Sequence, residues 1–329
     1  EDDAAAAADV EELAEVSGPP PADPHGHHPV LVAEVLTALD IQPGHVVVDC
    51  TAGRGGHARR LAAAAGPEGT LVLADLDAEN LAHAVRRAEA MGGARVVPFH
   101  GRFDALPGRL RELGLVADAV FADLGFCSNQ IDDPQRGLSF AADGPLDMRL
   151  DQSGGRTAAE LLAEVDESEL ARMLHEWGEE PLGRRIARNV VAARELEPIS
   201  TTAALADLVV AAYGSRAHRS RLHPATRTFM AIRIAVNGEL DAVDGLLSAI
   251  TAEADALALA GDRDDPGHPA DAGATDDRAA VDSRWMRPGC RVTVISFHSL
   301  EDRAVKRAFR DAADRGAVER LTRKPILAS

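Results

Sequence analysis

"HVVVDCTAGRGGHA", His45 to Ala58, decides the fold. Val46, Val47 and Val48 make a short apolar run that stops at Asp49. A turn holding Gly53, Gly55 and Gly56 follows, and then an Ala/Leu-rich helix runs to about Ala65. Strand, glycine turn and helix open a βαβ unit, and the glycines let a ligand approach the backbone at the helix N-terminus. The design repeats. "GTLVLADLD" (69–77) is a strand ending at Asp75, with a helix from about Ala78 to Met91. "ARVVPFHG" (94–101) is a third strand, "DALPGRLREL" (104–113) a short helix, and "ADAVFADLG" (117–125) a fourth strand ending at Asp123. This alternation predicts an α/β fold with a doubly wound, mostly parallel sheet.

From about Asp151 to Val236 the periodicity is helical throughout, most clearly in "AAELLAEVDESELARMLHEWG" (158–178). A strand returns at "CRVTVISFHS" (290–299), with a helix after it. The expected organisation is an α/β domain interrupted by an inserted all-helical domain. Its bounds are a disordered acidic tail at 1–24, a first catalytic part at 25–140, a helical RNA-binding insertion at 141–235 and a second part at 236–329. A disordered acidic loop is expected at 261–283.

Composition narrows the class. Of 329 residues 46% are hydrophobic, ample for a core, while only 3% are aromatic, so each ring carries information. No window offers the ~18 uninterrupted apolar residues of a membrane span, and no charged-then-apolar signal opens the sequence given. Three cysteines without CxxC spacing point to reduced thiols and a cytoplasmic setting, with no metal site expected. His25, His27 and His28 lie among Pro and Gly and read as a loop. The formal charge of -18 argues against a nucleic-acid partner only until its distribution is seen. Acid concentrates in the tail and in 261–283. Leu182 to Ala235 carries nine arginines against Glu195, Glu197 and Asp207, and 303–324 is also net basic. Local excess of this kind suits phosphate contact.

Ligands of doubly wound sheets bind at the carboxyl ends of the strands, where Asp49, Asp75 and Asp123 all fall. Gly53-x-Gly55-x-x-Ala58 also satisfies a loose dinucleotide fingerprint with Asp75 at the ribose position, so a nicotinamide-dependent oxidoreductase is one alternative. Asp49 weighs against it, because an acid at the first strand end repels a pyrophosphate. S-adenosylmethionine carries an ammonium and a sulfonium and no phosphate, which suits an acidic, glycine-lined pocket. Asp75 would then take the ribose hydroxyls, and Phe103 would contact the adenine.

Seven segments, in order from about His27 to Arg310, carry a resemblance: "HHPVLVAEVL" (27–36), "DCTAGRGGHA" (49–58), "ADLGFCSNQIDDPQRGLSF" (122–140), "DGPLDMRLD" (143–151), "WGEEPLGRRIAR" (177–188), "HPATRTFMAIRIAVNGEL" (223–240) and "SFHSLEDRAVKRAFR" (296–310). The chain resembles the bacterial 16S ribosomal RNA (cytosine-N4)-methyltransferase family. The resemblance implies a class I, Rossmann-like methyltransferase fold and S-adenosylmethionine as cofactor, held at Gly55, Gly56, His57, Asp75, Phe103, Asp123 and Gln130. It further implies an RNA-binding helical insertion and, as substrate, a decoding-region cytosine of 16S rRNA within the small ribosomal subunit. The chain departs from the family's usual Val-Ser-Ser at Phe126-Cys127-Ser128, and 261–283 replaces a short connection. The printed sequence ends at "LTRKPILAS", ahead of the Arg-rich closing strand usual in the family.

A cytosine amino group is a poor nucleophile, so its N–H groups must be held by acceptors that turn the lone pair toward the methyl donor. Asp123 with the Leu124-Gly125 turn and an aromatic behind it resembles the Asp-Pro-Pro-Tyr pattern of amino-methyltransferases. The candidate catalytic set is Asp123, Phe126 and Ser128, with Phe126 stacking on an extruded base. Asp49 and Gly53 join the cofactor set. Arg184, Arg188, Arg227, Arg233 and His298 are the candidate substrate contacts, although "SFHSLED" equally reads as a helix cap at Ser299. Trp177 and Trp285 fit RNA stacking or core packing alike. Two further alternatives stand: carbon-5 methylation through Cys127, and a ribosome-binding assembly factor that keeps the fold without turnover. The oligomeric state is open, a homodimer included.

Overall fold

β1 (Val46–Asp49) is the central strand of a five-stranded sheet, and its neighbours explain why it is so apolar. The computed structural model describes residues 29–219, 222–263 and 284–327. The sheet adds β2 (Thr70–Asp75), β3 (Arg95–His100), β4 (Ala117–Asp123) and β5 (Met286–Ile295) in the order β3-β2-β1-β4-β5, every pair parallel. The order reverses between β1 and β4, which opens a crevice at their carboxyl ends. The expected parallel α/β sheet is the one observed.

Strand alternation sends residues to two buried faces. Val48, Val72, Ala74, Val120 and Ala122 pack against α4 (Leu106–Leu113), against Val243, Leu246, Leu247 and Ile250 of a later helix, and against Trp285. Trp285 is fully buried, a core residue rather than an RNA platform. Val47, Leu71, Leu73 and Phe121 face the other way, where α2 (Ala58–Ala65) and α3 (Ala78–Glu89) lie along β1, β2 and β3. A first helix, α1 (Val32–Leu39), reaches β4 and β5.

After β4 the chain forms a short helix, α5 (Ser128–Asp132), and then a helical body: α6 (Ala158–Glu164), α7 (Glu167–Glu176), α8 (Gly183–Arg194), α9 (Thr202–Tyr213) and α10 (Ala225–Asn237). Thr157, Asp166 and Thr201 cap α6, α7 and α9 with side-chain oxygens, as their types favour. Leu162, Leu170, Leu174, Ile186, Leu205, Val209, Phe229 and Ile232 form a separate core, one that draws on all five helices. Trp177 packs half-buried at its margin, with the Arg172 guanidinium 5.4 Å from its ring centroid.

α11 (Glu239–Arg263) is a 25-residue helix across one sheet face, and α12 (Ser299–Asp314) packs against it. Three sequence expectations change here. Gly261 to Arg263 finish α11 instead of opening the acidic loop. β5 begins at Met286, ahead of "CRVTVIS", because extra residues around Pro288 and Gly289 are absorbed by a register shift opposite Ala117–Ala119. The cap of α12 is His298, accepting from Glu301 N, and Ser299 is already helical. The tail 1–24, His25, His27 and His28, and 264–283 lie outside the described residues. No helix among the described residues is long and apolar enough to cross a membrane.

Candidate functional site

Three carboxylates meet at the crevice because three neighbouring parallel strands each end in an acid, β2 and β4 running two residues past the end of β1. Asp49 stands opposite Leu73 and Phe121, and Asp123 opposite Ile295. Asp49 is fully buried. One oxygen accepts from Thr51 N at 3.1 Å, and the other, Oδ2, is buried without a hydrogen-bond partner. Burial pushes its carboxyl up to about 8, helped by the charges of Asp123 and Asp75 and opposed by the Thr51 hydrogen bond. Asp75 accepts from Gly53 N at 2.7 Å and Asp77 N at 2.8 Å, and burial still raises it to about 6.

Asp123 is placed by its own backbone, whose N–H donates to Thr51 Oγ1 at 2.6 Å. Its Oδ1 is buried without a partner, and its Oδ2 lies 3.7 Å from His57 Nε2. Burial, with the Glu301 charge second, lifts it to about 7. His57 is itself buried, its ring 4.7 Å from that of Phe121. Buried carboxylate oxygens that no protein donor satisfies call for a cation or a hydrogen-bond donor from outside the chain. The turn between β1 and α2 is packed closely against its neighbours. Gly55 has φ +77°, and a Cβ there would come 2.8 Å from Ala84 Cα of α3, so only glycine keeps the turn this close to its neighbour.

The loop after β4 is tied to the same place. Gln130 is buried; its Oε1 accepts from Cys127 N at 2.9 Å and its Nε2 donates to Asp77 Oδ2 at 2.9 Å. Asp77 caps α3 and also pairs with Arg136. Gln130 therefore secures the loop to the helix beside the pocket. Asp77 and Arg136 are absent from the sequence-based set, although Asp-x-x-Asn before a helix is a capping signal. Phe103 is half-buried in a single 3₁₀ turn after β3, against the sheet core. Ser128 opens α5. Cys127 is half-buried, and a Cβ on Gly53 would come 2.7 Å from its sulfur. Burial, then the nearby Asp75 charge, pushes its thiol up to about 12, so it stays protonated and inert.

On the far side of Asp123, Phe126 is exposed, and the Arg233 guanidinium lies 4.1 Å from its ring centroid. Arg233 is buried and grips Glu239 through two 2.8 Å bonds. That removes it from the set of phosphate contacts: a buried, doubly paired guanidinium serves the interior. His298 lies close by, its Nε2 3.1 Å from buried Glu301 Oε1. Donor atoms of Glu239, His298 and Glu301 lie within 4.8 Å of one another, but Arg233 already meets the charge of Glu239. The remaining candidate contacts lie on the helical body. Arg184 and Arg188 share α8, with Arg188 3.7 Å from Glu167; Arg227 on α10 donates to Glu179 O at 3.1 Å.

The profile of the MraW methylase family matches residues 24–261 and 277–329. A protein of Solidesulfovibrio magneticus named "Ribosomal RNA small subunit methyltransferase H" is 41% identical over 320 residues, covering 92% of this chain and 89% of that one. Proteins of the same name from Syntrophotalea carbinolica and Halorhodospira halophila are each 43% identical, covering 86% and 88% of this chain and 80% and 79% of theirs.

Proposed function

Because the chain belongs to the MraW methylase family, we propose that it methylates the exocyclic N4 of a decoding-region cytosine in 16S rRNA of the small ribosomal subunit, in the cytoplasm. The observation that carries this reading is Asp123 Oδ1, a buried acceptor without a partner at the end of β4, next to an acidic pocket.

S-adenosylmethionine, when bound, supplies a methyl group made electrophilic by its sulfonium. The residues present suit it. Asp49 Oδ2 lacks a donor and answers a cation, and Asp75 has lone pairs left for ribose hydroxyls beyond the two backbone donors it already holds. Gly55 keeps the turn close against α3. Asp123 accepts an N4–H of the cytosine and turns the nitrogen lone pair toward the methyl group. If the methyl group passed from the sulfonium sulfur to N4, releasing S-adenosylhomocysteine, the N4 proton would go to Asp123, whose raised affinity matches that task near neutral pH. His57 Nε2 lies 3.7 Å from Asp123 Oδ2, on the same side of the crevice.

Carbon-5 chemistry would need a thiolate, and the Cys127 environment holds the thiol. Cys127→Ser is therefore expected to keep methyl transfer within about twofold, since serine caps α5 at least as well. Incubation with unmethylated small subunits, followed by chromatography of the nucleosides, tests both points. N4-methylcytidine is expected; 5-methylcytidine, or a dead Cys127→Ser enzyme, would overturn the reading.

The helical body with Arg184, Arg188 and Arg227 is the proposed grip on rRNA. Arginines acting through phosphates release counterions, so affinity for small subunits should fall steeply with salt. Arg184→Ala with Arg188→Ala should weaken binding and flatten the salt dependence, with S-adenosylmethionine binding unchanged. An unchanged salt slope in the double variant would place the rRNA elsewhere.

A further inference from the structure

The chain has eight phenylalanines, and the two exposed ones stand at the ends of paired strands. Phe126 follows β4 and Phe297 follows β5, beyond the pair Asp123 and Ile295. The Phe297 ring lies 3.4 Å from where a Cβ on Gly125 would stand, so the ring lies against the turn that Asp123 begins. Phe297 is 62% exposed and takes no part in the sheet core. What the fold uses is its backbone, whose N–H donates to the buried Glu301 Oε2 at 3.0 Å. Phe126 is fixed differently: Arg233 covers one face of its ring, and Glu239 fixes Arg233. Buried ion-pairing groups thus fix the Phe297 backbone and one face of the Phe126 ring, while the Phe297 ring and the rest of Phe126 stay exposed. Exposed aromatic rings cost solvation unless a partner covers them, and both of these lie on the segments that follow the strand ends at Asp123, whose Oδ1 has no partner, and Ile295.

We propose that Phe297 is the second wall of the pocket that receives the extruded target cytosine, facing Phe126 across the base, with Asp123 at the amino edge. This rests on the methyltransferase reading given above and adds a base-positioning residue on β5 to the one on β4. A single-stranded base presents two π faces, and stacking on aromatic side chains is how proteins hold it without reading its neighbours. Clamping both faces leaves the amino edge pointing at the acceptor, which is the alignment that N4 transfer requires. Glu301 sets the clamp through the Phe297 backbone. His298, next in sequence, caps α12 and keeps that segment from sliding.

The test uses the full chain. Phe297→Ala should lower kcat/KM on unmethylated small subunits by about 10- to 100-fold, the range for loss of one stacking partner. Phe297→Tyr should restore it. S-adenosylmethionine affinity and thermal unfolding should not move in either variant. Free cytidine with the S-adenosylhomocysteine-loaded protein gives a second readout: saturation transfer to the base should be present in the wild type and lost in Phe297→Ala. Wild-type N4 product together with an unimpaired Phe297→Ala enzyme would remove the clamp alone. Weakened subunit binding with cytidine contact intact would make Phe297 a docking residue and also remove the clamp. A wild type that makes no N4-methylcytidine would remove the methyltransferase reading with it.

Discussion

Asp123→Ala is expected to lower methyl transfer to small subunits by about a thousandfold, within the range that a lost general base commands. The variant removes the acceptor for N4–H and the destination of its proton at once. Asp123→Asn separates the two: its amide oxygen still accepts a hydrogen bond but takes no proton, so it should remain severely impaired. The wild-type rate should also depend on pH with a definite sign. Asp123 works ionised and sits at about 7. Below that value kcat/KM should drop about tenfold per pH unit, and above it kcat/KM should level off. Folding is not the cause of the loss, because replacing a desolvated carboxylate relieves a burial cost; the unfolding midpoint of Asp123→Asn should hold or rise. S-adenosylmethionine binding must be measured beside the rate. A loss of rate fully accounted for by lost cofactor binding, or a pH-independent rate, would contradict the assignment.

S-adenosylmethionine should bind more tightly as pH rises, by as much as about a hundredfold between about pH 6 and about pH 8. Asp49 is held protonated by burial up to about 8, against an ordinary 3.8. A cationic ligand favours the ionised form, so binding expels a proton throughout that window, and one proton is worth up to about tenfold in affinity per pH unit. The same shift acts on the ligand-free protein. Its folded state holds a proton that the unfolded chain gives up near 3.8. Stability therefore declines as pH climbs from about 4 toward 8, and Asp75, raised to about 6, adds to the decline. Calorimetry in two buffers of different ionisation heat counts the released proton directly. S-adenosylhomocysteine, which lacks the sulfonium, should show a shallower dependence, and Asp49→Asn should lose most of it. Equal affinity at both ends of the window would mean that Asp49 does not face the cation.

How much of the molecule is legible in its sequence depends on how local each signal is. Strands such as "HVVVDC" and "ADAVFADLG" announce themselves, because burial on both faces demands continuous apolar runs and the acids at their ends break the pattern. Asp49, Asp75 and Asp123 are therefore readable as one set, and the structure brings them to one crevice. Arg233 cannot be sorted from its neighbours in the same way. Nine arginines in one stretch look alike until packing decides which of them turns inward to Glu239. Glu301 and Phe297 are hidden for the opposite reason: "SFHSLED" satisfies a capping rule by itself. Nothing local says that Glu301 also holds the Phe297 backbone and charges the surroundings of Asp123. Gln130 is a third case. Its place beside the pocket follows from the resemblance, while its engagement with Asp77 and Cys127 depends on contacts between distant elements.

β4 ends at Asp123, and the strand that lies beside it starts only at Met286. Bringing them together closes a loop of roughly 160 residues, an entropy cost that grows only with the logarithm of length but slows folding through its many non-local contacts. During synthesis the first four strands and the helical body leave the ribosome well before β5 does. Until then β4 has an open outer edge, and Asp123 has neither Glu301 nor the Phe297 segment beside it. A nascent chain that has not yet reached β5 therefore has no complete pocket, and the enzyme gains its chemistry only once β5 and α12 have been made.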